Sequence, residues 1–271
     1  MRATADTRAA AVAGLFYPGD AKALAHDIQT LLAVVAQPPA GAPKALIVPH
    51  AGYVYSGPVA ASAYAQLRPL RGTIQRVVLL EPVHRVPVHG LALPGTQAFE
   101  TPLGRIPIDR EAVNRILPLR QVMTSAAAHA LEHSLEVQLP FLQEVLGDFQ
   151  LIPLAVGDAT PEEVAEVIEA LWGGPETLIV VSSDLSHYLP YPAAQRIDNQ
   201  TCLSIAQLKI LDSHEQACGA TPVNGLLLAA RNHHLTPQLL DLRNSGDTAG
   251  DRERVVGYAA FAFTAESGHA H

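Results

Sequence analysis

Asp184 and His187 stand three residues apart in the stretch VVSSDLSHYLP, directly after an apolar run. A carboxylate and an imidazole at that spacing can transfer protons or bind a metal. Two other apolar runs end in a similar way. KALIVP is followed by His50, and RVVLLEP by Val83 and then His84. Neutral imidazoles joined by an anionic ligand make a metal set that leaves a position open for chemistry. A further His or carboxylate nearby would serve as general base. Each residue alone has a local explanation: an Asp after a strand caps a turn, and a lone His bonds a backbone carbonyl. Local roles do not explain why three runs end in such groups.

The elements that must position these residues alternate along the chain. Short apolar runs read as buried strands at KALIVP, RVVLLEP, FQLIPLAVG and ETLIVVSSD. Between them lie helical patterns: AKALAHDIQTLLAVVAQ with Asp20 as cap, PVAASAYAQLRPL with Pro58 in its first turn, and TPEEVAEVIEALW capped by Thr160. AHALEHSLEVQLPFLQEVL reads as helix, with Pro140 starting a new one or kinking it. LALPG and TQAFETPLGRIPI suggest a small antiparallel excursion, and PQLLDLRNS and ERVVGYAAFAF read as closing strands. Strand alternating with helix predicts an α/β fold, a single domain over 1–271 with a mostly parallel central sheet flanked by helices. In such sheets ligands bind outside the carboxyl ends of the strands, where His50, His84, Asp184 and His187 all fall.

The bulk composition narrows the function classes. Hydrophobic residues make up 48% and charged residues 16% of 271, which fits a globular core and excludes a disordered chain. The net charge is −8 and the 18 Lys and Arg are scattered, so no nucleic-acid surface is expected. No apolar stretch approaches the roughly 20 residues of a membrane span. AAAVAGLFY near the start is short, is interrupted by Pro18-Gly19-Asp20, and is not read as a secretory signal. Two cysteines give no disulfide framework, and a reducing, cytoplasmic location is expected. HExxH, CxxC, GxGxxG and GxSxG patterns are all missing from the sequence.

Other candidates compete for the site. His133 and Glu136 would share one helical face as an exposed pair. Cys218 precedes a helix, whose N-terminus would favour the thiolate, although a buried structural thiol is the plainer reading. Cys202 sits at an apolar helix position and reads as core. His233 and His234 fall at a helix end, where the dipole favours cations. His269 and His271 belong to a short terminal segment expected to be exposed, and His89, His129 and His214 receive no role.

Several segments together resemble one family: VAGLFYPGD, VPHAGYVYSGPVAASAY, FETPLG, EHSLEVQLPFLQ, SSDLSHY, ACGATP and NSGDTAGDRERVVGYAAF. In order, and over nearly the whole chain, they are similar to the Memo family, called AmmeMemoRadiSam system protein B in prokaryotes. The resemblance implies an extradiol dioxygenase-like fold, that of the class III ring-cleaving enzymes, which hold non-haem Fe(II). It implies metal ligation by His50, His84 and Cys218, with His187 and Asp184 as catalytic acid/base groups. Iron(II) is the expected metal, with copper or zinc as alternatives, because thiolate is a soft ligand. Metal-dependent redox or oxygen chemistry on a small molecule follows from that pocket. The other expectation is a non-catalytic binding or scaffold protein acting with AMMECR-like and radical-SAM partners. One segment departs from the family pattern: Gly-Pro-Ser-His becomes Glu81-Pro82-Val83-His84. Glu81 is a candidate for orienting His84.

Overall fold

The computed structural model describes residues 6–35 and 41–265, so His269 and His271 lie outside the described residues. One large mixed sheet organises the chain. Its strands run, side by side, His187–Leu189, Val255–Ala265, Pro43–Val48, Thr177–Ser182, Arg76–Pro82, Gln150–Val156, Leu91–Leu93 and Val122–Thr124. Leu235–Asn244 forms a long antiparallel pair with Val255–Ala265. The four central strands, Pro43–Val48 to Gln150–Val156, are mutually parallel. Antiparallel partners flank them on both sides. The parallel centre is the part the four apolar runs predict. A smaller sheet joins Thr7–Arg8, Ala98–Thr101 and Gly104–Pro107, the last two antiparallel as expected.

Burial on both faces explains the unbroken apolar runs. In Pro43–Val48, Leu46 and Val48 enter one core with Leu24, Ile28, Val59 and Phe141. Ala45 and Ile47 point the other way, to a second core with Val164, Val223, Leu227 and Phe261. Period-two alternation therefore feeds two helical layers rather than one layer and solvent. Each fully buried Val, Leu or Ile contributes about 1.5–3 kcal/mol of transfer free energy.

Two helices differ from the sequence expectation. The helix after His50 begins at Tyr53, so Pro58 lies inside it and not in its first turn. More consequential is the stretch read as a helix over 128–146. It is a short helix Ala126–Ala130, a non-helical turn, a 3-10 turn Glu136–Gln138 and a helix Leu139–Leu146 with Pro140 in its first turn. Glu132 causes part of the break. Its carboxylate accepts the backbone N–H of its neighbour His133 (3.0 Å) and that of His84 (2.7 Å). A side chain that captures nearby backbone donors offers the chain an alternative to helix.

Candidate metal centre

Strand register brings the predicted residues together. Val48 pairs with Ser182, so His50 and Asp184 each lie two residues past the end of adjacent parallel strands. The His50 N–H donates to Asp184 Oδ1 at 2.7 Å, and both residues are buried. Leu80 pairs with Val181 on the other side, which carries His84 to the same edge. Cys218 reaches that edge from the segment before the helix Ala220–Asn232, its N–H donating to the Asp184 carbonyl. Gly219 makes the approach feasible, because a Cβ there would sit 2.7 Å from Ser183 Cβ and 2.8 Å from the Ser182 carbonyl oxygen. His50, His84, Asp184, His187 and Cys218 line one open cleft of about 790 Å³, with Phe16, Tyr55, Tyr188 and Arg254 among its other walls.

The cleft also contains His133, which the sequence placed on an exposed helix face. His50, His84 and His133 each offer a ligand atom within 4.8 Å of the others, close enough to hold one metal ion. Their ring centroids are 4.9–5.5 Å apart. The turn at 131–135 turns His133 inward. Glu136, its supposed surface partner, is fully buried and binds Arg8, the Ala11 and Val12 N–H groups and the Tyr17 hydroxyl. Val12 and Tyr17 are thereby fixed in the core, so the apolar segment near the start is part of the fold.

Hydrogen bonds decide which nitrogen each histidine presents. Ser182 Oγ gives its hydrogen to the Ser134 carbonyl (2.6 Å) and accepts from Gln138 Nε2 (2.8 Å). Its remaining lone pair accepts from His50 Nδ1 at 2.9 Å, which leaves the Nε2 lone pair of His50 facing the cleft. Glu132 Oε1 takes His84 Nδ1 at 2.9 Å and lies 3.1 Å from His133 Nδ1. All three rings are thus held through Nδ1, the arrangement that carboxylate or hydroxyl partners impose on metal-ligating histidines. Burial pushes the His50 imidazole well below its ordinary value, with His84 and His133 nearby adding to the effect, so it stays neutral. Burial alone would raise Glu132, but hydrogen bonds from His133 and His84 hold it well below the usual carboxylate range.

The remaining candidates take distinct places. Cys218 Sγ lies 3.3 Å from His50 Nε2. Two ligands bound at about 2.0 and 2.3 Å to one tetrahedral ion would be separated by roughly 3.5 Å, so the pair fits a shared metal. Burial and the Asp184 charge push the Cys218 thiol up to about 12, so desolvation outweighs the expected help from the helix N-terminus. His187 Nδ1 donates to the Leu185 carbonyl at 2.8 Å, leaving its Nε2 towards the cleft. Tyr188 beside it has a left-handed backbone (φ 60°), and the Arg254 guanidinium lies over its ring. Glu81 does not touch His84. Its carboxylate accepts from Ser134 Oγ (2.9 Å) and the Leu135 N–H (2.8 Å). Cys202 is buried in the core as expected, and His233 bonds Glu169 at the end of its helix.

A mixed sheet covered on both faces, with imidazoles gathered at the carboxyl edge of its parallel strands, defines an α/β protein with a candidate metal site. The chain belongs to the family described as Memo-like protein, which it matches over residues 8–262. It is 33% identical to a MEMO1 family protein of Sulfolobus acidocaldarius, covering 94% of this chain and 99% of that one. A MEMO1 family protein of Ignicoccus hospitalis is 36% identical, with 94% and 98% covered. One from Aquifex aeolicus is 35% identical, again with 94% and 98% covered. Among solved structures, an uncharacterized protein from Escherichia coli K12 superposes with a TM-score of 0.53 over 80% of this chain and 98% of that one. At 14% sequence identity that likeness shows the fold alone.

Proposed function

We propose that the cleft binds a transition-metal ion and uses it for redox or oxygen chemistry on a small molecule. His50, His84 and His133 supply imidazole nitrogens, and Cys218 beside His50 supplies a thiolate when an ion displaces its proton. The observation that carries this reading is the convergence: Nδ1 of His50 and of His84 is hydrogen-bonded from behind, that of His133 lies 3.1 Å from Glu132, and the three rings offer nitrogens within 4.8 Å of one another. Iron(II) suits imidazole with thiolate and an open position, and copper or zinc suit the same donors. The bound ion would supply Lewis acidity and, as iron or copper, electron transfer. His187 Nε2 accepts a proton from a molecule in the cleft. Asp184 positions the ligands, gripping the His50 N–H with its carboxylate and the Cys218 N–H with its carbonyl.

The test is anaerobic purification, metal quantification, and O₂ uptake with catechol and its carboxylated derivatives. Equal trace metal in wild type and in a His50→Ala variant would sink the reading. Cys218 in the place where the resembled dioxygenases carry a carboxylate favours a second one, a non-catalytic binding protein for AMMECR-like and radical-SAM partners. A tight complex with either that survives His187→Ala, together with no turnover, supports that alternative.

A further inference from the structure

Behind the histidines lies a second buried layer that the proposed chemistry does not use. Ser134 Oγ has one hydrogen and three oxygens within reach: Glu81 Oε2 at 2.9 Å, the Pro82 carbonyl at 3.1 Å and Glu132 Oε1 at 3.3 Å. Glu81 continues the path, its Oε1 lying 3.1 Å from His129 Nδ1. His129 Nε2 is 2.8 Å from the Ala92 carbonyl, an acceptor, so that nitrogen carries a hydrogen. Nδ1 then faces that carboxylate at ion-pair distance without forming a hydrogen bond to it. Glu81, Glu132, Ser134 and His129 are all essentially fully buried. Three buried carboxylates, Glu81, Glu132 and Glu136, otherwise have one buried guanidinium, Arg8, which also binds the His129 and Glu132 carbonyls. A buried carboxylate persists only where donors satisfy it, and Glu81 has the Ser134 hydroxyl and the Leu135 N–H, with His129 the nearest imidazole.

We propose that Glu81, Ser134 and His129 form a positioning layer that sets how strongly Glu132 holds His84 and His133, and through them a metal ion. Glu81 draws the single Ser134 hydrogen away from Glu132, whose Oε1 is left to the two Nδ1 groups. Without the Glu81 charge, that hydrogen turns to Glu132 and competes with the imidazoles. This inference rests on the metal pocket proposed above. It also reassigns Glu81, which acts through Ser134 and Glu132 and not by direct contact with His84.

Cobalt(II) titration with optical absorption reads the effect without turnover. The variants are Glu81→Gln, which keeps the shape and removes the charge, Ser134→Ala, and the double variant. Glu81→Gln is expected to raise the cobalt dissociation constant by roughly 10-fold or more and to shift the ligand-field bands. Ser134→Ala removes the competing hydrogen, so it is expected to bind within about threefold of wild type and, in the double variant, to restore most of the loss. Unchanged affinity and spectrum in folded Glu81→Gln, or a double variant as weak as Glu81→Gln, would overturn the inference while leaving the pocket intact. A wild-type protein that takes up no cobalt removes the pocket itself, and this layer's role with it.

Discussion

The sulfur of Cys218 lies 3.3 Å from the Nε2 of His50, whose other nitrogen is committed to Ser182. The thiol hydrogen has two acceptors in reach, the imidazole lone pair and the Asp184 carbonyl at 3.7 Å, and a metal would have to replace it.

With the Cys218 thiol pushed up to about 12, the metal-free protein keeps it protonated at all ordinary pH values. If Cys218 ligates as thiolate, zinc binding by wild type at pH 7.5 should release about one proton more than binding by Cys218→Ala. Calorimetry in two buffers of different ionisation enthalpy measures the difference. Equal release would assign the third ligand position to His133 alone.

His84 carries a pH signature of its own. Burial lowers it, but the Glu132 hydrogen bond and charge outweigh burial, and the folded value is raised. Protonation thus stabilises the metal-free fold. That contribution is complete below the ordinary His value of about 6.5 and is lost as pH rises through the folded value. The gap in urea midpoint between wild type and His84→Gln should be widest near pH 5.5 and shrink towards pH 8.5. Metal affinity should run the opposite way, strengthening as the competing proton leaves. A gap that grows with pH would contradict the Glu132 pairing.

His187 and His50 should separate cleanly. His187→Ala is expected to retain metal and to lose turnover by roughly 10²–10⁴-fold, the usual share of a general base. His50→Ala is expected to lose the metal. Metal analysis of the two variants suffices, and loss from His187→Ala first would reverse the assigned roles.

Arg8 ties the start of the chain to the turn that presents His133. It pairs with buried Glu136 and binds the carbonyls of His129 and Glu132. Arg8→Ala strands a buried carboxylate and should cost about 3–5 kcal/mol in chemical denaturation. A loss below roughly 1 kcal/mol would make the pair a spectator.

Much of this architecture was legible in the sequence, for physical reasons. Runs such as RVVLLEP and ETLIVVSSD are apolar on both faces because both faces are covered, so strands and their carboxyl ends could be read directly. That reading found His50, His84, Asp184 and His187, and the structure brings all four to one cleft. His133 stood only as a competing candidate, paired with Glu136, because EHSLEVQLPFLQ keeps a helical period through a turn that is not helical. The break comes from Glu132 bonding backbone N–H groups, one of them 48 residues away, and spacing carries no trace of such a tertiary contact. Burial of Cys218 was equally hidden, since a position before a helix says nothing about what covers it.

The candidate ligands stand at 50, 84, 133 and 218, each separated from the next by whole strands or helices. In an unfolded chain these four ligands therefore form no local chelate, and their joint grip on the metal is lost. Uptake has to follow assembly of the sheet, and every tenfold excess of free ion over the dissociation constant then deepens the native basin by about 1.4 kcal/mol. Ion supply would in that way govern how long each molecule survives proteolysis, the starved form being the first to open and be destroyed.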